Sequence, residues 1–198
     1  VGDDYGIHTV LVFAGTGYAV FKLDPKEQDS KLVAQIEKEL TAEIMEGLGS
    51  FTGARRRFEL KGEVNGVRVI DDYGHHPTEI VATLKAARTF VETGRVIVIF
   101  QPHRYSRTKA FLNEFSEALK LADKSYVLEI YSAGEDPIPG VSSELIAREM
   151  ANGIFNPSMI EVVEEVVKEV KTGDLVMTLG AGDVNALVPV ILESLNAN

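Results

Sequence analysis

The feature that most constrains this chain is an alternation of strand-like and helix-like patterns from Arg55 to the C-terminus. Three short segments are almost continuously apolar or β-prone, as expected of strands buried on both faces: Val96–Phe100, Tyr126–Ile130 and Leu175–Leu179. Around them, apolar residues recur three and four positions apart, which predicts helices over 77–91, 111–122, 143–150, 160–170 and 184–195. This alternation predicts an α/β fold with a mostly parallel sheet flanked by helices.

A β-hairpin is predicted at the start of this region. Phe58–Val64 and Val67–Asp71 are strand-like, and they flank Asn65-Gly66, a dipeptide whose tolerance of positive φ favours a tight turn. The hairpin is therefore expected to open the sheet before the alternating units begin.

The N-terminal residues follow a different pattern. Val10–Phe13 and Tyr18–Leu23 resemble strands on either side of a Gly15-Thr16-Gly17 turn, and an amphipathic helix is predicted over Leu32–Leu48. Because these elements are too few for a complete α/β domain, we expect a partial segment over 1–54 and a separate domain over 55–198.

Composition argues against several classes of function. The formal net charge of −10 opposes the basic surface that binding to a phosphate backbone requires, so no nucleic-acid partner is expected. The absence of cysteine removes disulfides and thiolate metal sites. No apolar run approaches the roughly 20 residues that span a bilayer, and the sequence starts without a basic and apolar leader. We therefore expect a cytoplasmic protein without membrane insertion.

A first polar segment, residues 71–79, ends the hairpin and begins a helix, at the edge where α/β sheets bind ligands. Its last three residues, Pro77-Thr78-Glu79, are typical of a helix start. Asp72 and His75 are not needed for that purpose. We expect their side chains to face the cleft, where they could orient a metal-bound phosphate or a ribose hydroxyl.

A second polar segment, residues 101–108, directly follows the strand Val96–Phe100. It contains His103, Arg104 and Arg107, and the planar fork of arginine suits bidentate recognition of a carboxylate or phosphate. A solvated basic turn is the alternative. The position of this segment beside the first one favours an anion site.

Other motifs are weaker or missing. Gly180-Ala181-Gly182-Asp183 follows the last strand and resembles a dinucleotide fingerprint, but Asn185 stands where a third glycine is expected. Asp183 is better explained as a helix N-cap. The chain contains neither a P-loop motif nor a Gly-x-Ser-x-Gly elbow, so triphosphate binding by a P-loop and serine hydrolase chemistry are both unsupported.

Four blocks of this sequence resemble, in the same order, the UDP-N-acetylmuramate-L-alanine ligases of the Mur ligase family. The blocks are Ile70-Asp-Asp-Tyr-Gly-His-His-Pro-Thr-Glu-Ile80, Gln101-Pro-His-Arg-Tyr-Ser-Arg-Thr108, Ile130-Tyr-Ser-Ala-Gly-Glu135 and Leu179-Gly-Ala-Gly-Asp183. Together they cover the region from Arg55 onward and are more specific than any one alone. The second block is the one that resembles the alanine-adding members.

The resemblance implies an enzyme of three domains, of which 55–198 is the Rossmann-like C-terminal one. The other two bind the UDP-sugar and, through a P-loop, ATP. In the family, ATP with Mg²⁺ phosphorylates UDP-N-acetylmuramate and L-alanine attacks the acyl phosphate, a step of peptidoglycan precursor synthesis. Residues 1–54 would be a remnant of the central ATP-binding domain, with 1–23 left unaligned. Because the P-loop and the sugar domain are absent from this chain, we expect it to be inactive alone.

The resemblance also implies roles for particular residues. Those that would shape the L-alanine site are Tyr73, His75, His103, Arg104 and Arg107, with Arg107 as the partner of the substrate carboxylate. Those that would lie near the nucleotide are Arg57, Asp72 and His75. The Mg²⁺ ion would be held mainly by the missing central domain, and no metal ligand is assigned here.

Two other functions stay open on the sequence. One is a free-standing module that binds a nucleotide or an amino acid without catalysis. The other is a metal-dependent phosphoesterase that would use Asp71, Asp72, His75, His76 and His103 as ligands. Adjacent His75 and His76 cannot readily face one ion, which counts against the second.

Overall fold

The computed structural model describes residues 8–14, 17–23, 55–91 and 93–197. The chain divides into two units, Val1–Gly53 and Ala54–Asn198. In the first unit, β1 (His8–Ala14) and β2 (Gly17–Leu23) pair antiparallel. The predicted turn at 15–17 is only partly within the described residues, and the predicted helix over Leu32–Leu48 lies outside them. Among the helices that are described, none is both long and apolar enough to cross a membrane.

The second unit opens with the predicted hairpin. β3 (Glu59–Val64) and β4 (Val67–Asp72) pair antiparallel, and the turn between them places Asn65 at φ 52° and Gly66 at φ 76°. Both angles lie in the left-handed region, which explains the choice of Asn-Gly here. The side-chain amide of Asn65 donates to the carbonyl oxygen of Leu195 at 2.9 Å, so the turn is tied to the end of the chain.

The rest of the second unit alternates helices and strands. In chain order they are α1 (Pro77–Phe90), β5 (Val96–Phe100), α2 (Tyr105–Ala110), α3 (Leu112–Leu119), β6 (Lys124–Val127), α4 (Glu144–Arg148), β7 (Gly153–Phe155), α5 (Met159–Glu169), β8 (Leu175–Leu179), a 3₁₀ turn (Val184–Ala186) and α6 (Leu187–Ala197). The strands form one sheet in the order β3-β4-β8-β5-β6-β7, parallel except for β3. The predicted α/β class is confirmed.

Helices cover both faces of this sheet, which is why its central strands are mostly apolar on both sides. In β5, Val98 and Phe100 pack into the core formed with α1, α3 and α4, whereas Ile97 and Ile99 pack into the core formed with α5 and α6. Because side chains alternate between faces along a strand, each central strand contributes to both cores.

Two elements differ from the predictions. The polar helix α2 was not predicted, because it buries only Thr108 and therefore has no apolar stripe; the predicted helix from Phe111 contains α3 alone. The edge strand β7 was also missed, since its three residues are all half-buried and show no pattern. Within the second unit, the remaining predicted strands and helices are confirmed to within a few residues.

The strand order decides which loops meet. β8 is the last strand in the chain but lies between β4 and β5, parallel to both. The loop that follows β8 is therefore held between the first and second polar segments. All of these loops leave the carboxyl edge of the sheet, which is where open α/β sheets bind ligands.

Candidate active site

The site is built from four loops at the carboxyl edge of β4, β8, β5 and β6. They contribute residues 73–76, 180–183, 101–104 and 128–135. A backbone bridge joins two of these loops, since Arg104 N–H donates to the Tyr131 carbonyl and Tyr131 N–H donates to the Pro102 carbonyl, both at 2.8 Å. The side chains described below are thus carried by a connected framework.

The first segment begins α1 as predicted. Pro77 is the first helical residue, and Glu79 accepts from the backbone N–H groups of His75 and His76 at 3.0 and 3.1 Å. Unexpectedly, the N-cap residue of α1 is His76. Its Nδ1 lies 2.8 Å from the Thr78 hydroxyl and accepts a hydrogen bond from the backbone N–H of Thr78. His76 is therefore occupied by helix capping.

Asp71 and Asp72 both point into the domain. The Asp72 carboxylate is buried and accepts from the N–H groups of Phe58 and Gly74, each at 2.7 Å, and from the Thr83 hydroxyl at 3.2 Å. It shapes the loop that carries Tyr73 and His75. Its predicted contact with a nucleotide stays a prediction, and it would have to coexist with these bonds.

Arg56 ties the start of the domain to the loop after β8. Its Nε donates to Asp71 at 2.9 Å, and its two terminal nitrogens donate to the carbonyl oxygens of Gly182 and Gly180. Asp71 is 2% exposed and also accepts from the Thr178 hydroxyl at 2.8 Å. Arg56 therefore neutralises the charge of a buried carboxylate and also provides hydrogen-bond donors to two carbonyl groups.

Arg57, the arginine predicted for the nucleotide, is arranged differently. Its side chain is half-exposed at 51% and lies 3.6 Å from the Glu79 carboxylate. Its guanidinium is 5.6 Å from the centre of the Tyr73 ring, and that of Arg56 is 5.1 Å from the same ring. Arg57 thus remains accessible to a ligand, whereas Arg56 is committed to the fold.

Four rings line the site between the first segment and the loop after β6. Tyr73 contacts His75 with ring centres 5.2 Å apart, and His75 contacts His103 at 5.8 Å, both edge to face. His103 stacks on Tyr131 at 5.6 Å. The structure therefore brings together Tyr73, His75 and His103, three of the predicted alanine-site residues.

Arg107 completes this group from α2. Its terminal nitrogen donates to Nδ1 of His103 at 3.2 Å. Because a guanidinium only donates, His103 Nδ1 must carry a lone pair, and the neutral ring then holds its proton on Nε2. Partial burial, with the positive charge of Arg107 next, lowers the pKa of His103 below its ordinary 6.5.

We expect an NMR titration of the His103 ring to give a pKa below 6.5. Arg107→Gln should raise this pKa because it removes a nearby positive charge, whereas Arg148→Gln, at an exposed ion pair on α4, should not change it. Between the lowered pKa and 6.5 the unfolded chain binds a proton that the folded chain does not. The contribution of His103 to stability therefore falls as the pH decreases through this window, and a His103 pKa above 6.5 would contradict the arrangement.

Arg104 is held apart from Arg107. Its backbone adopts φ 75°, an uncommon value for a residue other than glycine, and its side chain lies 3.7 Å from the Glu135 carboxylate. Glu135 also accepts from the N–H and hydroxyl groups of Ser106 at 2.9 and 2.6 Å. Of the two arginines in the second segment, Arg104 is therefore paired with a carboxylate, that of Glu135.

The loop after β8 is packed closely rather than open to a phosphate. A Cβ at Gly182 would lie 2.3 Å from Oε1 of Gln101 and 2.7 Å from Cγ of Tyr131. Gln101 is buried, donates to Asp183 at 2.7 Å and accepts from Val184 N–H at 3.1 Å. Asp183 does take the N-cap position, but its side chain does not cap the 3₁₀ turn. Gly180 and Gly182 therefore allow this loop to pack closely against Gln101 and Tyr131.

Sequence reasoning assigned no site role to Arg56, Gln101, Tyr131 and Glu135. The last three belong to the quoted sequence blocks, which was the available signal. Arg56 and Gln101 contact the loop after β8, which depends on β8 lying between β4 and β5. Tyr131 and Glu135 contact the second segment, which depends on β6 lying beside β5.

The metal-dependent phosphoesterase is not supported by the geometry. Within residues 8–14, 17–23, 55–91 and 93–197, no three His, Asp or Glu side chains are grouped so that they could hold an ion. His76 caps α1 and packs on Phe111, whereas His75 packs on Tyr73 and His103.

A separate groove of about 690 Å³ lies on the helical flank of the domain. Its lining includes Val81 and Lys85 of α1, and Glu117 and Ala118 of α3. It contains neither the aromatic rings nor the arginines of the sheet edge. The candidate active site is therefore assigned to the edge.

The fold and the site define a class: an α/β domain with helices on both faces of its sheet and a candidate ligand site of arginines and aromatic rings at the carboxyl edge of its strands. Residues 56–182 match the family model described as "Mur ligase, glutamate ligase domain". The chain belongs to the Mur ligase family.

Similar proteins agree with this assignment. The chain is 56% identical over 148 residues to UDP-N-acetylmuramate-L-alanine ligase of Paenarthrobacter aurescens, covering 75% of the chain and 32% of that protein. For the same ligase of Renibacterium salmoninarum the identity is 50% over 153 residues, covering 77% and 33%. The solved UDP-N-acetylmuramate-alanine ligase of Thermotoga maritima matches with a TM-score of 0.67 at 26% identity, covering 91% of the chain and 40% of that protein. The chain thus spans about a third of the curated relatives.

Proposed function

We propose that this chain is the C-terminal part of an ATP-dependent ligase that joins L-alanine to UDP-N-acetylmuramate in peptidoglycan precursor synthesis. Relatives of that name share about half of its residues over three quarters of the chain. Its partners would be ATP, L-alanine, UDP-N-acetylmuramate and the two other domains of the ligase. A cytoplasmic location would follow from these substrates.

The observation that carries the proposal is the pairing of Arg107 with His103. Arg107 is half-buried, and among the described residues it forms no ion pair with a carboxylate. Its remaining donors can therefore hold the carboxylate of an incoming amino acid in a fixed orientation. Tyr73, His75 and His103 would form the wall beside it, and Arg104 its outer side.

His75 is placed to act on the amino group of the same substrate. Its Nδ1 lies 3.0 Å from the Tyr73 carbonyl, which can only accept, so Nδ1 carries the proton. Glu79 lies 3.4 Å from the same nitrogen. In the neutral ring, Nε2 then has a lone pair that can accept a hydrogen bond from the substrate amine. This hydrogen bond would orient the amine as the nucleophile, and no other side chain would be needed for that purpose.

The nucleotide would approach from the first segment. Arg57 and His75 are the residues that could contact it, and Asp72 would support them by fixing the loop between β4 and α1. The carboxylates of Asp71 and Asp72 are already engaged, so we propose that Mg²⁺ is held mainly by the central domain. When bound, that ion would neutralise phosphate charge.

We further propose that 1–54 is a remnant of the central ATP-binding domain and that 55–198 is the C-terminal domain. The match to the Thermotoga maritima ligase supports this, since 91% of the chain is more than the second unit alone contains.

The test is phosphate release that depends on ATP, L-alanine and UDP-N-acetylmuramate together. We expect the complete polypeptide that contains this sequence to turn over, and the purified chain to give no more phosphate than a control without protein. Turnover by the chain alone would refute its assignment as a part of the site. A complete polypeptide that ignores L-alanine but uses another amino acid would refute the substrate.

A further inference from the structure

Glu135 is brought to the active site by a tight turn after β6. Ala133 and Gly134 adopt φ 50° and 85°, and Glu135 N–H donates to the Ser132 carbonyl at 3.0 Å. A Cβ at Gly134 would meet nothing within 4 Å, so it is the backbone angle that favours glycine here. The turn directs the chain back toward the beginning of α2.

The Glu135 carboxylate closes that end of α2. It accepts from Ser106 N–H at 2.9 Å and from the Ser106 hydroxyl at 2.6 Å, while Arg104 lies 3.7 Å away. The hydrogen bonds from Ser106, with the charge of Arg104, lower the pKa of Glu135 below 4.5. Glu135 is therefore an anion at neutral pH, next to one of the two arginines.

Arg104 is fixed in that position by its backbone. Its N–H donates to the Tyr131 carbonyl at 2.8 Å, and its carbonyl accepts from the N–H and hydroxyl groups of Thr108 at 3.0 and 2.9 Å. Arg107 lies one turn later on the same helix and contacts His103 instead. The two guanidinium groups thus have different partners although both act on His103 electrostatically.

From this difference we propose that Glu135 determines specificity. It pairs with Arg104 and accepts from Ser106 N–H at the start of α2, so that of these two arginines Arg107 is the one available to a substrate carboxylate. An amino acid with a second carboxylate would meet a neutralised arginine and a fixed anion. This inference rests on the proposed function, because it assumes an amino-acid substrate at Arg107.

Removing the charge of Glu135 should have a defined consequence. Glutamine can still accept from Ser106 N–H and bond the Ser106 hydroxyl, so Glu135→Gln preserves the turn while it frees the charge of Arg104. A second substrate carboxylate then gains an attractive partner and loses a repulsive one. Because the groups are partly exposed, we expect a change of about tenfold and not more.

The experiment measures kcat/KM for L-aspartate and L-alanine in the complete ligase. For Glu135→Gln, the ratio of L-aspartate to L-alanine should rise about tenfold over that of the unmodified enzyme. The double variant Glu135→Gln with Arg104→Gln should lose most of this gain, because the freed cation is gone and only the loss of the repulsive anion remains. An unchanged ratio in the single variant, or a gain of the same size in the double variant, would overturn the proposal.

Two further variants distinguish a role of Glu135 in specificity from a purely structural role and from a failure of the proposed function. Glu135→Ala removes the hydrogen bonds as well, so it should lower the melting temperature more than Glu135→Gln does. If Glu135→Gln instead lowers use of both amino acids equally and melts like the alanine variant, the residue is structural and the proposal fails. If Arg107→Gln leaves L-alanine use intact, it is the proposed function that fails.

Discussion

Arg107→Ala should lower kcat/KM for L-alanine about a hundredfold in the complete ligase. The guanidinium is expected to donate two charge-assisted hydrogen bonds to the substrate carboxylate, and losing them costs about 3 kcal/mol. His103 remains in the variant, and although the loss of the Arg107 charge raises its pKa, burial and the charge of Arg104 still act to lower that pKa and so favour the neutral ring. It cannot replace the lost charge. The measurement is steady-state kinetics with L-alanine varied and the other substrates saturating.

The same variant should leave the KM for ATP nearly unchanged, because ATP is expected to approach from the first segment. Arg148→Ala is the matched control: Arg148 forms an exposed ion pair with Glu144 on α4 and belongs to no loop of the site. It should behave as the unmodified enzyme. A comparable loss for L-alanine and ATP in Arg107→Ala would contradict the role given to this residue.

Arg56→Ala should destabilise this chain by about 3–5 kcal/mol. The substitution leaves Asp71, which is 2% exposed, without its ion partner, and it leaves the Gly180 and Gly182 carbonyl oxygens without a donor. A buried charge that loses its partner costs far more than an exposed one. The measurement is the free energy of unfolding from urea denaturation of the second unit's transition.

Arg57→Ala provides the matched control, since it removes the same side chain one residue further on. Arg57 is 51% exposed and pairs loosely with Glu79, so its loss should cost less than about 1 kcal/mol. Equal destabilisation by the two variants would show that Arg56 does not hold the domain together as its contacts indicate.

The sequence predicted the layers of the fold well because those layers depend on local patterns. Runs of almost continuously apolar or β-prone residues placed Val96–Phe100 and Leu175–Leu179 with the bounds that the structure shows. Asn65-Gly66 predicted the hairpin through the φ angles it allows. α2 was not predicted, because local patterns reveal a helix through its hydrophobic period and this polar surface helix has none.

For the candidate site, the sequence determined which chemical groups are present and at which strand ends they occur. His75, His103 and Arg107 were selected in this way and Tyr73 through the resemblance to the Mur ligases, and the structure brings the four together. The local residue types alone could not distinguish Arg56 from Arg57 or Arg104 from Arg107, and the different roles predicted for them came from the resemblance to the Mur ligases.

Only the tertiary structure decided what each of these arginines does. β8, the last strand in the chain, lies between β4 and β5, and this brings the Gly180–Gly182 carbonyls to Arg56. The turn after β6 brings Glu135 to Arg104 and leaves Arg107 beside His103. Periodicity reports which face of an element is buried, but partners between loops follow from strand order, a long-range property that no local pattern encodes.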